Sequence, residues 1–453
     1  MINGKELFVR RHKKNQKSIR GPQLWKRAKQ IIPGGNQLLS KRAEMFLPEF
    51  WPAYYQKSRG VNVWDLDGNR YTDMSIMGIG SCVLGYANPQ VNAAVKKSIG
   101  LGSMSTLNCY EEVALAEKLI ALHPWAGMAR FARTGGEACA IAVRIARAFS
   151  GKDKVLFCGY HGWTDWYLAS NLADTENLSK QLLPGLAPNG VPKSLAQTAI
   201  PFHYGDLDEL KAKVEAHMGQ VGTIIMEVQR HKPVDVKFLK AVRAIASKIR
   251  AVLIFDEITS GFRARCGGCH MLYGVEPDIV VLGKAMGNGY PIASVVGRKD
   301  VMQAAQGTFI SSTYWTERIG FTAALEVIRL FQKNQVPKHL ERIGEELITG
   351  LRSIFASHDL KIKVEGTNAN PILVIHEKDP LAVKTVFTQE MLKRGFLAST
   401  TIYLSLAHTF RAIRCYLAHA DKVFALISQA IKKNELQRLL QGPVCHSGFQ
   451  RLA

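Results

Sequence analysis

An α/β fold with a mostly parallel sheet and a second, smaller α+β unit is what this sequence predicts. Three observations carry the expectation. Short β-branched or apolar runs at 154–157, 223–228, 252–256, 279–282 and 293–296 alternate with helical patterns such as 237–250, the signature of strand–helix–strand units. Two of these runs end in chemistry: Ala251-Val252-Leu253-Ile254-Phe255 leads into Asp256-Glu257, and Asp278-Ile279-Val280-Val281-Leu282 leads through Gly283 to Lys284. At 453 residues and 47% hydrophobic composition, the chain is also large enough to bury a sizeable core and divide in two.

Along the chain, Gly60 to Asp73 alternates apolar and polar residues around a hairpin turn at Asp67-Gly68. The stretch 111–122 is amphipathic and helical in pattern. An alanine-rich helix pattern, Ala138 to Arg147, follows Arg133-Thr134-Gly135-Gly136-Glu137. A long helix is expected at 317–331. Beyond it, 361–365 and 372–375 read as strands, and 382–394 and 421–432 as helices. The expected division is 1–75 as a basic arm plus a segment joining the small domain, 76–332 as the large domain, and 333–453 as the small α+β domain. The polar, Pro- and Gly-containing stretch 169–197 is either a surface excursion or a lid over the site.

Composition excludes several function classes. No uncharged apolar run reaches the ~18 residues a membrane helix needs. The basic N-terminus (Lys5, Arg10, Arg11, Lys13, Lys14, Lys17, Arg20) has no apolar stretch behind it, so it is no secretory signal, and a cytoplasmic address is expected. A formal net charge of +22 invites a nucleic-acid reading, but the cations are spread through the chain and no nucleic-acid module is present. Eight cysteines are too few for a disulfide framework. Cys266-Gly267-Gly268-Cys269 has CxxC spacing beside His270 but lacks a second ligand pair, so no metal is expected. Cys82, Cys109, Cys139 and Cys158 read as small core residues. Gly78-Ile79-Gly80-Ser81-Cys82-Val83 lacks the third glycine of a dinucleotide fingerprint, and Lys284 precedes its glycines, unlike a Walker loop.

A lysine and an acid at neighbouring strand ends are usually an ion pair. The same pair is what pyridoxal phosphate chemistry needs: an amine to form the Schiff base, and a carboxylate to keep the pyridine nitrogen protonated. The Gly135-Gly136 turn before a helix suits a phosphate. Tyr160, in Phe157-Cys158-Gly159-Tyr160-His161-Gly162-Trp163, is a candidate ring stacker.

Together, Ile254-Phe255-Asp256-Glu257-Ile258-Thr259-Ser260-Gly261-Phe262-Arg263, Gly283-Lys284-Ala285-Met286-Gly287-Asn288-Gly289-Tyr290-Pro291, Ile32-Pro33-Gly34-Gly35 and the stretch Trp64 to Asp73 resemble the class III (ω-type) aminotransferases. The glutamate-1-semialdehyde aminomutase branch is the nearest in pattern. The resemblance implies the pyridoxal-phosphate fold type I (aspartate-aminotransferase-like) and assigns roles. Lys284 would bind the cofactor and then carry the proton, and Asp256 would pair with the pyridine nitrogen. Ile258 and Tyr160 would cover the two ring faces. Gly135 and Gly136 would hold the phosphate, and Glu227 would lie near the cofactor hydroxyl. Thr313 would reach the phosphate of a neighbouring subunit, which implies a homodimer with shared sites.

Departures fall at the substrate end. In the aminomutase branch an arginine shortly after Pro-Gly-Gly grips the substrate carboxylate. Here the segment reads Gly34-Gly35-Asn36-Gln37-Leu38-Leu39-Ser40-Lys41-Arg42, leaving Arg42 between that role and a surface one. Trp163 is a second candidate substrate contact. Gly136 stands where the family often has a hydroxyl, Trp315-Thr316-Glu317-Arg318 replaces a Gly-Asn-Pro stretch, and Glu227 lacks its following proline. An aminotransferase moving an amino group from a small-molecule donor to an oxo acceptor is therefore the first reading. The aminomutase is the second, and a racemase or a non-enzymatic scaffold stands behind both.

Overall fold

The computed structural model describes residues 18–181, 184–229, 233–450 and 452; most of the basic arm lies outside them. Among the described residues no helix is long and apolar enough to cross a membrane.

Seven strands form the central sheet: β4 (Met128–Ala132), β5 (Lys154–Cys158), β6 (Ala199–Pro201), β7 (Val221–Glu227), β8 (Val252–Asp256), β9 (Ile279–Leu282) and β10 (Ala293–Gly297). Their order is β4-β10-β9-β8-β7-β5-β6. From β6 to β9 every neighbour is parallel, and β10 runs antiparallel to both β9 and β4. β7 and β8 are buried along their whole length, as strands covered on both faces must be.

The pleat of β8 divides the core. Val252 and Ile254 pack with Phe157, Ile141 and the helix Gly135–Ser150, whereas Leu253 and Phe255 pack with Leu239, Val242 and Cys269 on the other face. Asp256 and Glu257, next along the chain, emerge toward these opposite sides. The register places Glu227 beside Asp256, and Asp256 beside Val281, three residues before Lys284. The carboxyl ends of β5, β7, β8 and β9 thus share one edge, where ligands of open α/β sheets bind.

A four-stranded sheet lies outside the main one. β1 (Tyr55–Arg59), β2 (Asn62–Asp65) and β3 (Arg70–Met74) form an antiparallel meander with its turn at Asp67-Gly68, and β13 (Phe396–Ala398) pairs parallel with β3. β11 (Ile362–Thr367) and β12 (Asn370–Ile375) form an antiparallel pair.

Among the described residues, the two longest helices differ from expectation. The 22-residue helix Val336–Ser357 falls where no element is expected, yet Val336, Leu340, Ile343, Leu347, Leu351 and Ile354 are buried at helical spacing. Charged residues between them mask the stripe in a linear reading. The last long helix begins at Phe410, well before 421, because Ile413, Tyr416 and Ala420 continue its apolar face between arginines and histidines.

Leu347 is fully buried on the unexpected helix and Glu345 is exposed. Leu347→Ala is expected to lower stability by about 2–5 kcal/mol and Glu345→Ala by less than about 0.5, read from denaturant or thermal unfolding.

Candidate active site

The Asp256 carboxylate organises the strand edge. Its Oδ2 accepts a hydrogen bond from His161 Nδ1 at 2.8 Å and another from the Cys139 thiol at 3.3 Å; Oδ1 accepts the Ile258 N–H at 3.0 Å. Burial pushes this carboxyl up, but the His161 hydrogen bond and charge, the Ile258 N–H and the thiol together hold it below the ordinary carboxylate range. Asp256 is therefore an anion at neutral pH. Sγ, a His161 ring nitrogen and a carboxylate oxygen lie within 4.8 Å of one another, a spacing that these hydrogen bonds account for.

His161 comes from the loop after β5, which Glu227 anchors by accepting the Tyr160 N–H at 3.1 Å. Gly159 has φ +109°, and a Cβ there would sit 2.5 Å from Glu227 Oε2, so the anchor requires glycine. The Gly159 N–H donates to Gln181 Oε1 at 2.8 Å, tying the 169–197 stretch to this loop. Within that stretch Ala169, Ser170, Asn171, Leu178 and Val191 are buried, while most of the other described residues are exposed.

Lys284 opens a tight turn, Lys284–Gly287, with a left-handed φ of 44° that is unusual for a residue with a side chain. Its Nζ donates to Thr259 Oγ1 at 2.9 Å. Asn288 closes the turn and staples it, accepting the Leu84 N–H at 2.8 Å and donating to the Gly85 carbonyl at 3.1 Å.

Gly135 and Gly136 are the first two residues of the 16-residue helix Gly135–Ser150. Thr134 and Glu137 form a capping box that satisfies the Glu137 N–H, and the N–H groups of the two glycines have no partner within the helix. A Cβ on Gly135 would lie 2.8 Å from Ile258 Cδ1, which also packs beside Gly283. Ile258 thus sits between the helix start and the lysine turn.

The remaining candidates are placed differently. Trp163 is 68% exposed, with its ring edge against Gly136 and beside Arg144 and Arg147. Thr313 is exposed at the start of the turn Thr313–Thr316, and Trp315 Nε1 donates to Glu137 Oε1 at 3.4 Å. Arg42 is engaged by the C-terminal tail: Nη1 donates to the Gln450 carbonyl at 2.9 Å, and the guanidinium lies 5.4 Å from the Phe449 ring centroid.

The class-III aminotransferase family model matches residues 48–431. The chain is a class-III aminotransferase. It is 31% identical over 430 residues to a 3-aminobutyryl-CoA aminotransferase of Cloacimonas acidaminovorans, covering 90% of this chain and 99% of that one. It is 30% identical to a glutamate-1-semialdehyde 2,1-aminomutase of Citrifermentans bemidjiense, covering 89% and 98%. Among solved structures, the Sphingopyxis sp. MTA144 FumI protein in its PLP internal aldimine form superposes with a TM-score of 0.82 at 25% identity, covering 91% and 97%. The fold is that of the pyridoxal-phosphate transaminases, and pyridoxal 5'-phosphate is the cofactor of this aminotransferase. Its residues fit that group. An anionic carboxylate ends the strand next to the one that leads into Lys284, and a side chain at Gly135 would fill the space beside Ile258 at the helix start.

Two contributors went unassigned in the sequence reading. His161 stood in the quoted Tyr160-His161-Gly162 turn, where only the tyrosine drew attention. Cys139 is buried, as expected of a core residue, but its thiol is a donor to Asp256 and not only apolar filling. The CxxC pair is likewise partly structural. Cys269 is buried and its N–H donates to Glu257 Oε2 at 2.6 Å, while His270 Nδ1 and N–H both meet Glu257 Oε1, at 2.6 and 2.9 Å.

Burial pushes the Glu257 carboxyl up, but the His270 hydrogen bond and charge, with the His270 and Cys269 N–H groups, bring it down to about 2. A carboxyl lower in the fold than in the unfolded chain stabilises fully above about pH 4.3, and that stabilisation is lost as pH falls toward 2. Glu257→Gln is expected to cost about 3 kcal/mol at neutral pH. The gap between variant and parent should close as unfolding is measured from pH 4.5 down to 2; a constant gap would contradict the assignment.

Proposed function

We propose that the aminotransferase moves an amino group between two separate small molecules through Lys284, and that the intramolecular aminomutase reaction is not its main activity. The observation behind this choice is Arg42. The guanidinium nearest to the family's carboxylate grip is hydrogen-bonded to the C-terminal tail, and no realigned arginine follows Pro33-Gly34-Gly35. The similarity to an enzyme named for 3-aminobutyryl-CoA supports an amino compound other than an α-amino acid as donor.

In this reading, Gly135 and Gly136 hold the cofactor phosphate with their N–H groups, helped by the helix dipole. Ile258 and Tyr160 clamp the ring faces, and Glu227 lies on the hydroxyl side. When bound, the cofactor supplies a ring that draws in the electron pair left at the substrate carbon once its proton departs. Asp256, kept anionic by His161, Cys139 and the Ile258 N–H, holds the proton on the ring nitrogen that this needs. The Lys284 amine, freed when substrate takes its place, would accept the proton at its Nζ and return it on the far side of the transferred nitrogen.

The assembly belongs to the same reading: a homodimer in which Thr313 serves the neighbouring site. Leu107, Tyr110, Val113, Phe309 and Tyr314 are each more than half exposed, a patch of large apolar side chains that association would cover. Arg318 ties its two segments, its N–H donating to the Ser103 carbonyl and its guanidinium lying 5.6 Å from the Tyr110 ring centroid. The pairing of β13 with β3 supports the division into a large unit at 76–332 and a small one from 333–453 plus the N-terminal segment. Eight free cysteines are in keeping with a cytoplasmic address.

Borohydride reduction of the loaded protein is expected to fix the cofactor on the Lys284 peptide. Lys284→Ala should lose both that adduct and the donor half-reaction by at least about 10³-fold, as removal of a covalent catalyst does. Turnover of glutamate-1-semialdehyde alone, in a screen of amine donors, would reverse the choice between the two activities.

Light scattering should give about twice the 50.2 kDa chain mass. The pair Leu107→Asp and Phe309→Asp should yield monomer that retains cofactor poorly on dialysis. A monomeric parent, or a monomeric variant with undiminished retention, contradicts the shared site.

A further inference from the structure

We infer that Thr259 is a positioning residue for the Lys284 amine, set in place from the seam between the large sheet and the C-terminal part of the chain. This rests on the reading of Lys284 given above. Thr259 is 8% exposed and stands three residues after Asp256, on the loop that carries Ile258. Its hydroxyl accepts from Lys284 Nζ at 2.9 Å. Its carbonyl accepts from Arg263 Nε at 3.1 Å.

Arg263 spans the seam. It is 5% exposed, donates from Nη1 to the Leu404 carbonyl at 3.3 Å and from Nη2 to the Gly80 carbonyl, and its guanidinium lies 4.7 Å from the Tyr403 ring centroid. A guanidinium with donors directed at three segments is a rigid bracket, because its fork is planar and its charge cannot be discharged at neutral pH. Thr259 and Arg263 also line a partly open cavity of about 60 Å³ together with Leu340, Glu341, Thr367 and Asn370. The Thr259 loop is thereby fixed by contacts from both parts of the chain.

The consequence for chemistry is geometric. Lys284 must leave its place when substrate binds, yet remain close enough to shuttle a proton between the two carbons that flank the transferred nitrogen. A flexible four-carbon side chain does this poorly unless its amine has a docking point. The Thr259 hydroxyl is that point: it accepts from the amine most strongly when the amine is protonated, since a hydrogen bond from a cation is stronger than one from a neutral donor. No bond to the hydroxyl oxygen forms or breaks.

The test compares Thr259→Val, which keeps the shape and removes the acceptor, with Thr259→Ser, which keeps the hydroxyl. Thr259→Ala stands in should the valine methyl prevent folding. In the cofactor-free protein, labelling of Lys284 by trinitrobenzenesulfonate is followed by peptide mass spectrometry across pH 6–10. Loss of the acceptor should speed labelling by about 3–10-fold on the acid side of the profile, and serine should restore the parent curve. In the loaded enzyme the valine variant should lose about 10–100-fold in kcat for the donor half-reaction with KM changed by less than about twofold.

Superimposable labelling profiles for parent and valine variant, or a loss confined to KM, would overturn the role of Thr259. Neither result touches the reading of Lys284 itself, which fails only if Lys284→Ala keeps its half-reaction.

Discussion

The hydrogen-bonded anion at the end of β8 is the constraint around which the rest of the structure is arranged. A carboxylate that is 4% exposed is unstable as an anion unless donors replace the water it has lost. Asp256 obtains them from three different segments: His161 from the loop after β5, Cys139 from the helix Gly135–Ser150, and the Ile258 N–H from its own turn. Each donor brings another part of the site with it. His161 carries Tyr160, Cys139 fixes the helix whose first residues are Gly135 and Gly136, and Ile258 is followed by Thr259, which meets Lys284. Satisfying one charge therefore ties together the loop that carries Tyr160, the helix that begins at Gly135 and the turn that leads to Thr259 and Lys284.

Strand pairing makes this possible before any side chain is considered. Parallel neighbours put carboxyl ends at one edge, and the register aligns Glu227, Asp256 and Val281. The pleat then separates the two adjacent acids. Asp256 enters the layer with Cys139 and Phe157, and Glu257 enters the opposite layer with Cys269 and His270. Both are held below the ordinary carboxylate range by imidazole and backbone N–H partners, so each is an anion whose charge is compensated by donors on its own face of the sheet.

Much of this was legible in the sequence, for a physical reason: the strands at 252–256 and 279–282, the hairpin around Gly68 and the glycine turn before a helix are local patterns with short periods. Helix Val336–Ser357 is not legible although its stripe is regular, because glutamates and arginines separate the apolar residues in the linear order. The donors to Asp256 were missed for a different reason. His161 lies 95 residues away in sequence and Cys139 117, and neither spacing carries information until the sheet is assembled. Arg42 is the extreme case, since its carbonyl partner is 408 residues distant.

That asymmetry reflects two ways of placing a side chain. Asp256, Lys284, Gly135 and Gly136 stand at a strand end, a turn and a helix start, where local backbone geometry places them. Arg42 is placed instead by contacts between remote segments: its guanidinium with Phe449 and Gln450, and the Phe449 N–H with the Pro184 carbonyl in the stretch after Tyr160. An arginine placed this way has a position that depends on the tail as much as on its own loop. Changing the residues around 448–450 would free or redirect the guanidinium without altering any cofactor contact. The position of Arg42 is thus set at the periphery by long-range contacts, while Asp256 is held by three donors at the carboxyl edge of the central sheet.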